Sequence, residues 1–243
     1  MDLRYPLIMA TALVLCAYLL RIRRDAVPLK AGERLAVGIG AFCSAMLGAK
    51  LPFVLADWEG LLSGAVWFSS GKTIMCGLVG AYFGVEFTKW ALEIRVKTGD
   101  WFAMPVAVAV GIGRIGCFVA GCCYGTPTEL PWGVRFATAD LLEGVDAPRH
   151  PTQLYESFFH FTMAAILWHL QKSAIWPGHL VKFYIIAYLV YRLISETIRP
   201  EARVLAGLTG YQWCAIGLIP VFAFLWYRDA QRMRESVSQL PAR

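Results

Sequence analysis

The stretch FAMPVAVAVGIGRIGCFVA, residues 102–120, carries a single ionisable side chain, Arg114, in an otherwise apolar run. A helix needs about 20 mostly apolar residues to cross the hydrocarbon core of a bilayer, so a run of this kind is the signature of a membrane span. Six further stretches answer to the same description, near residues 5–20, 35–55, 73–92, 153–171, 180–198 and 209–227. Composition agrees, since 58% of the 243 residues are hydrophobic and only 16% are charged, where soluble domains carry about a quarter charged residues. That balance excludes an ordinary soluble enzyme, a disordered chain and a DNA-binding domain. The expected fold is all-α, a polytopic membrane protein with seven transmembrane helices. Neither a polar linker nor a fixed-period repeat interrupts it, so residues 1–243 read as one integral-membrane domain.

The formal net charge of +6 is explained by where the basic residues fall, and no nucleic-acid partner is expected. When the seven spans are threaded with the N-terminus outside, the inner segments hold fourteen of the 23 Lys and Arg and the outer loops hold seven. The inner set includes Arg21, Arg23, Arg24, Lys30, Arg34, Arg228, Arg232, Arg234 and Arg243. Positive residues collect on the cytoplasmic side, which sets the N-terminus outside and the C-terminus in the cytoplasm. The first run is short, but its basic cluster follows the apolar residues instead of preceding them, so it reads as an uncleaved span and not as a signal peptide. On this threading the longest external loop is 121–152, in which Pro127, Pro131 and Gly133 break any helix. The Gly/Ser-rich stretch 56–72 reads as a re-entrant or interfacial piece.

Ionisable groups at membrane depth cost at least a few kcal/mol, so each needs a partner, a water-filled cavity or a function. Three places stand out. In GIGRIGCFVAGCCYG, residues 111–125, Arg114 sits among glycines that allow close approach of a helix or a lipid headgroup. The GxGxxG within it lacks the preceding strand of a dinucleotide site. RHPTQLYE, residues 149–156, gathers Arg149, His150, Gln153, Tyr155 and Glu156 at the entrance to the fifth span, and Pro151 suits the start of a helix. In AYLVYRLISETIRP, residues 187–200, Tyr188, Arg192, Glu196 and Arg199 recur at helical spacing, as a stripe on one face of the sixth span. A snorkelling arginine, a helix cap and an ion-pair ladder would account for these places one by one. Together, the arginines suit an anionic phospholipid head, whose phosphate Arg114, Arg192, Arg149 and Arg199 would hold by charge-assisted bonds.

Cys117, Cys122 and Cys123 lie within seven residues, with Cys76 on another span. Their C-x4-C-C spacing is unlike the C-x2-C of zinc ribbons, so neither a metal site nor a cofactor is expected and the thiols read as packing residues. The odd count of 7 cysteines, mostly inside apolar runs, also argues against a disulfide framework.

Four ordered blocks carry a resemblance over most of the chain from about residue 73 onward: GRIGCFVAGCCYG, PTELPWGVRF, RHPTQLYE and YLVYRLISE. With them the sequence resembles the prolipoprotein diacylglyceryl transferase family of bacterial inner membranes. The resemblance implies transfer of the diacylglyceryl group of phosphatidylglycerol to the lipobox cysteine thiol of a prolipoprotein, with release of glycerol phosphate. It implies membrane lipids and the signal-peptide region of the acceptor as partners, and a multi-pass place in the inner membrane. Arg114 and Arg192 match the family's phosphate-holding arginines, Tyr188 and Glu196 the rest of the late stripe, His150 and Glu156 the polar residues of the third block, and Gly125 the glycine that closes the first.

On this resemblance Arg114, Arg192, His150 and Glu196 are the expected catalytic residues. Tyr188, Glu156, Gly125, Arg149, Gln153 and Tyr155 are the expected substrate-binding ones. The chain departs from the family where Met75 stands in place of a histidine and Cys76 in place of a glycine, and where Cys117, Ala120 and Cys122 replace two asparagines and a glutamate. His150 and Glu196 remain as candidates for the acid–base step. A paralogue acting on another acceptor or lipid, and a non-catalytic lipid-binding protein, are the alternatives.

Overall fold

The computed structural model describes residues 3–23, 27–64, 73–139 and 147–238. Within them the chain forms α1 (Arg4–Ile22), α2 (Ala31–Ala56), the short α3 (Trp58–Ser63), α4 (Ile74–Ala91), α5 (Gly99–Val119), α6 (Thr152–Lys172), α7 (Leu180–Ser195) and α8 (Gly210–Ser238). Every apolar run of the sequence falls on a helix. Four of these helices, α1, α2, α5 and α8, are long and apolar enough to cross a membrane. α6 is more polar because Gln153, Glu156, Ser157 and His160 are turned inward and buried, and α7 is only 16 residues long. The outward faces are apolar, with Leu7, Leu13, Val14, Phe42, Phe87, Phe158 and Phe224 exposed, as expected of helices solvated by lipid.

One small element departs from the all-α expectation. β1 (Arg203–Leu205) and β2 (Leu208–Thr209) pair as an antiparallel hairpin. Ala206 and Gly207 both take positive φ, 51° and 71°, in the two-residue loop, which matches the right-handed twist of the strands. The stretch 56–72 contains α3; its remainder, residues 65–72 with Lys72, lies outside the described residues, as do Arg24, Arg243 and residues 140–146 of the long loop.

The chain divides into two compact units, Asp25–Thr98 in one and Met1–Arg24 with Gly99–Arg243 in the other. In the first, α2 and α4 pack at the separation that glycine permits. A Cβ on Gly80 would lie 2.3 Å from the Ser44 carbonyl oxygen and 3.1 Å from the Gly48 Cα, so the two backbones nearly touch, as in small-residue helix pairs of membranes. Met75 and Cys76 belong to this unit, where Thr73 caps α4 by accepting from the Cys76 N–H at 3.2 Å.

In the second unit α5 packs against α1 and α6, and α7 against α8. Asp100 fastens the start of α7, accepting from the Gly178 N–H at 2.5 Å and the Leu180 N–H at 2.9 Å. Lys182 and Asp229 form a buried ion pair at 3.1 Å between α7 and α8. The helix ends near the long loop differ from a simple reading of the late stripe. α7 stops at Ser195 and gives way to a tight 3-10 turn, Glu196–Ile198, after which Arg199 is extended, with φ −106° and ψ 147°. Pro200 explains this, because a residue before proline is driven out of the helical region. Arg199 is therefore not on the helix that carries Tyr188 and Arg192.

Candidate active site

α6 begins at Thr152, so Glu156 falls one turn inside the helix, where its carboxylate is fully buried. An isolated carboxylate there would be very unfavourable. It is instead surrounded by donors from several segments. Arg114 of α5 donates its Nη2 to Oε2, and Arg199, beyond the 3-10 turn, donates its Nη2 to the same oxygen at 2.7 Å. Tyr188 of α7 donates its hydroxyl to Oε1 at 2.5 Å. Arg192, one turn further along α7, brings Nη1 to 3.7 Å of Oε2 and donates its Nη2 to Glu196 at 2.5 Å. Its guanidinium also lies 5.1 Å from the Tyr211 ring centroid, within cation–π range.

Three guanidinium groups thus meet two carboxylates, leaving one positive charge unbalanced in a buried cluster. The Nε groups of Arg114, Arg192 and Arg199 are buried without a hydrogen-bond partner among the described residues, as are Oε1 of Glu196 and Oε1 of Gln153. Surplus positive charge with unused donors is a receptor for an anion, and the planar fork of arginine fits a phosphate.

His160, four residues after Glu156 on the same face of α6, is a member absent from the set expected on sequence. It is fully buried, shares a hydrogen bond of 2.8 Å between Nδ1 and the Tyr184 hydroxyl, and holds Nε2 3.9 Å from Glu156 Oε1. Arg199, expected as an adjunct to the phosphate clamp, is one of the closest partners of Glu156. A polar residue four places from Glu156 on a helix is a signal for His160, hidden because a single imidazole in an apolar run reads as core.

The other expected residues form a second group along the long loop. His150 Nδ1 lies 3.4 Å from the Tyr155 hydroxyl, which also accepts from the Trp132 indole N–H at 2.7 Å. Arg149 is buried, its guanidinium 5.1 Å from the Tyr124 ring centroid. Backbone pairing knits this loop together: Arg149 and Val134 exchange both bonds, at 2.9 and 3.0 Å, and Gly125 donates to the His150 carbonyl at 2.8 Å. Gly125 is required by close approach. A Cβ there would meet the Ile198 carbonyl at 2.6 Å, His150 Cβ at 2.7 Å and Thr152 Cγ2 at 2.8 Å.

Gln153 and Thr152 tie the start of α6 to the turn after α5, donating to the carbonyls of Cys122 at 2.6 Å and Cys123 at 2.7 Å. The sulfurs of Cys117, Cys122 and Cys123 are mutually within 4.8 Å. Arg114 Nη1 reaches the Cys117 sulfur at 3.8 Å. Hydrogen bonds from the Cys117 and Cys122 thiols pull the Cys123 thiol below the usual thiol range, while hydrogen bonds with Cys117 and Cys123 push the Cys122 thiol above it.

The profile of the prolipoprotein diacylglyceryl transferase family matches residues 3–228. The chain belongs to the prolipoprotein diacylglyceryl transferase family. Among its relatives are proteins called phosphatidylglycerol–prolipoprotein diacylglyceryl transferase. That of Clostridium tetani (strain Massachusetts / E88) is 34% identical over 65% of this chain and 65% of its own. The protein numbered 2 under that name in Clostridium perfringens (strain 13 / Type A) is 30% identical over 68% and 66%. The one from Clostridioides difficile (strain 630) is 27% identical over 84% and 81%. The chain thus spans a little under two thirds of the length of the first two. With four long apolar helices among its described residues, it is a multi-pass membrane protein.

Proposed function

We propose that this chain transfers the diacylglyceryl group of phosphatidylglycerol to the lipobox cysteine thiol of a prolipoprotein, in the bacterial inner membrane. The observation that carries the reading is the convergence of Arg114, Arg192 and Arg199 around Glu156, with a positive charge and three buried Nε donors to spare. In the reaction the thiol sulfur attacks the glycerol carbon that bears the phosphate. The carbon–sulfur bond forms as the carbon–oxygen bond breaks, and the electron pair leaves on the phosphate oxygen of glycerol phosphate.

The chain's residues divide the work. Arg114 and Arg192 hold the phosphate and stabilise the charge that grows on the leaving oxygen, with Arg199 beside them. Glu156, braced by Tyr188 and backed by His160 and Tyr184, keeps the guanidinium groups apart in a fixed fan. Glu196 offers its unpartnered Oε1 to the proton of the incoming thiol. His150, Tyr155 and Arg149, on the outer loop with Trp132, line the approach of the headgroup and peptide, and Gln153 and Gly125 hold that loop against α6. Seven helices cross the membrane as one domain, with the N-terminus outside, the loop 121–152 on the outer face and the C-terminus in the cytoplasm.

The test uses purified protein in phosphatidylglycerol liposomes with a lipobox peptide, following peptide mass. The native chain is expected to add a diacylglyceryl group to the cysteine. Arg114→Ala is expected to slow that transfer by about 100-fold or more, the effect of losing a donor to developing charge. An Arg114→Ala protein that transfers at the native rate overturns the phosphate-clamp reading.

A further inference from the structure

α5 ends in a way that gathers three sulfurs which sequence spacing sets apart. Gly121 takes a left-handed φ of 65°, its N–H bonds to the Phe118 carbonyl at 3.1 Å, and the Cys122 N–H reaches back to the Cys117 carbonyl at 3.1 Å. This is the pair of bonds that closes a Schellman motif, which reverses the chain over the last turn of its own helix. The reversal lays Cys122 over Cys117. Cys123 is left-handed as well, with φ 61°, a conformation that L side chains adopt only where the surroundings impose it, and its sulfur joins the other two.

We propose that Cys117, Cys122 and Cys123 form a binding site for a thiophilic d10 cation of the zinc class, held by three thiolates with a fourth position open to a solvent or substrate atom. Zinc–thiolate bonds of about 2.3 Å place three sulfurs about 4 Å apart. The observed sulfurs, all within 4.8 Å of one another, need only a small contraction. Thiolates select soft cations over magnesium or calcium. Two of the three thiols are exposed and Cys117 is half-buried, so an ion can enter from solvent.

Charge is also met. A divalent ion displaces three thiol protons to solvent and leaves the site at net −1, beside the Arg114 guanidinium that contacts the Cys117 sulfur. The C-x4-C-C spacing points away from a metal only when set against ribbon motifs; the helix-reversing turn is a different way of converging ligands. An ion held here would brace both ends of the active cluster, since Cys117 follows Arg114 by one turn and the Cys122 and Cys123 carbonyls anchor the first turn of α6. The site stands independently of the transfer reaction.

Reduced, metal-free full-length protein in detergent, titrated with Cd²⁺, tests it through the thiolate-to-cadmium charge-transfer absorption and the cadmium retained after gel filtration. The expected result is saturation at one ion per chain, with affinity at least tenfold lower in Cys117→Ser, Cys122→Ser and Cys123→Ser. Cys43→Ser, on α2, should bind as the native chain does. The proposal is overturned if the native chain shows no saturable absorption, or if the band survives replacement of all three cysteines by serine. Because the native chain alone can overturn the proposal, misfolding of a variant does not shelter it.

Discussion

Glu156 is the residue on which the cluster turns. Its carboxylate accepts from Arg114, Arg199 and Tyr188 while fully buried, so removing its charge leaves guanidinium groups facing one another in a medium that solvates them poorly. Breaking a buried ion pair on one side is destabilising by about 3–5 kcal/mol. Glu156→Gln should therefore lower the free energy of unfolding in detergent by an amount in that range, besides removing transfer activity. Adding Arg114→Gln to Glu156→Gln should restore part of the loss, because it removes one of the stranded cations. A double variant no more stable than Glu156→Gln would show that the pair is not coupled. Arg114, Arg192, Glu156 and Glu196 were legible at this scale because charged residues inside apolar runs announce themselves, and Tyr188 through its helical spacing from Arg192. His160 and Tyr184 were not, since an imidazole and a phenol among apolar neighbours look like packing until their partner is known.

Elements behave as their residues demand, with proline and glycine deciding the exceptions. The late stripe predicts four residues on one helical face, but Pro200 turns Arg199 out of the helix, and Arg199 reaches Glu156 from an extended segment instead. α2 and α4 depend on the contact at Gly48 and Gly80, where a Cβ on Gly80 would stand 2.3 Å from backbone oxygen. Gly80→Ile should force the helices apart and destabilise their unit by about 1–3 kcal/mol, the usual penalty of overpacking. Faster limited proteolysis between residues 25 and 98 would report it. An unchanged cleavage rate would mean that the two helices do not rely on this approach. At this scale helix positions were legible within a few residues from apolarity, except that α8 runs to Ser238, well past the expected end at 227; α3 and the hairpin at 203–209 were not, being too short to carry a period.

For the whole molecule, the distribution of Lys and Arg argues for a defined orientation. An impermeant maleimide applied to intact cells should label Ala206→Cys, at the tip of the hairpin, above the parent chain's level. Lys97→Cys, just ahead of α5, should gain label only once the membrane is opened. The reverse pattern would invert the proposed orientation. Both positions are exposed and lie outside the helices.

Composition and periodicity by themselves determined that this chain is helical and lives in a membrane, because apolar length is a local property that bilayer thickness reads directly. The ordered motifs also singled out the charged residues expected at the site. Only the tertiary structure decided that Arg114, Arg192 and Arg199 share one carboxylate, that His160 stands behind it, and that three cysteines meet. Such convergence depends on how helices are rotated against one another and on where turns reverse the chain, through contacts between residues 42 and 43 positions apart for the Arg114–Glu156 and Arg199–Glu156 pairs. No window of sequence short enough to show a period contains both partners.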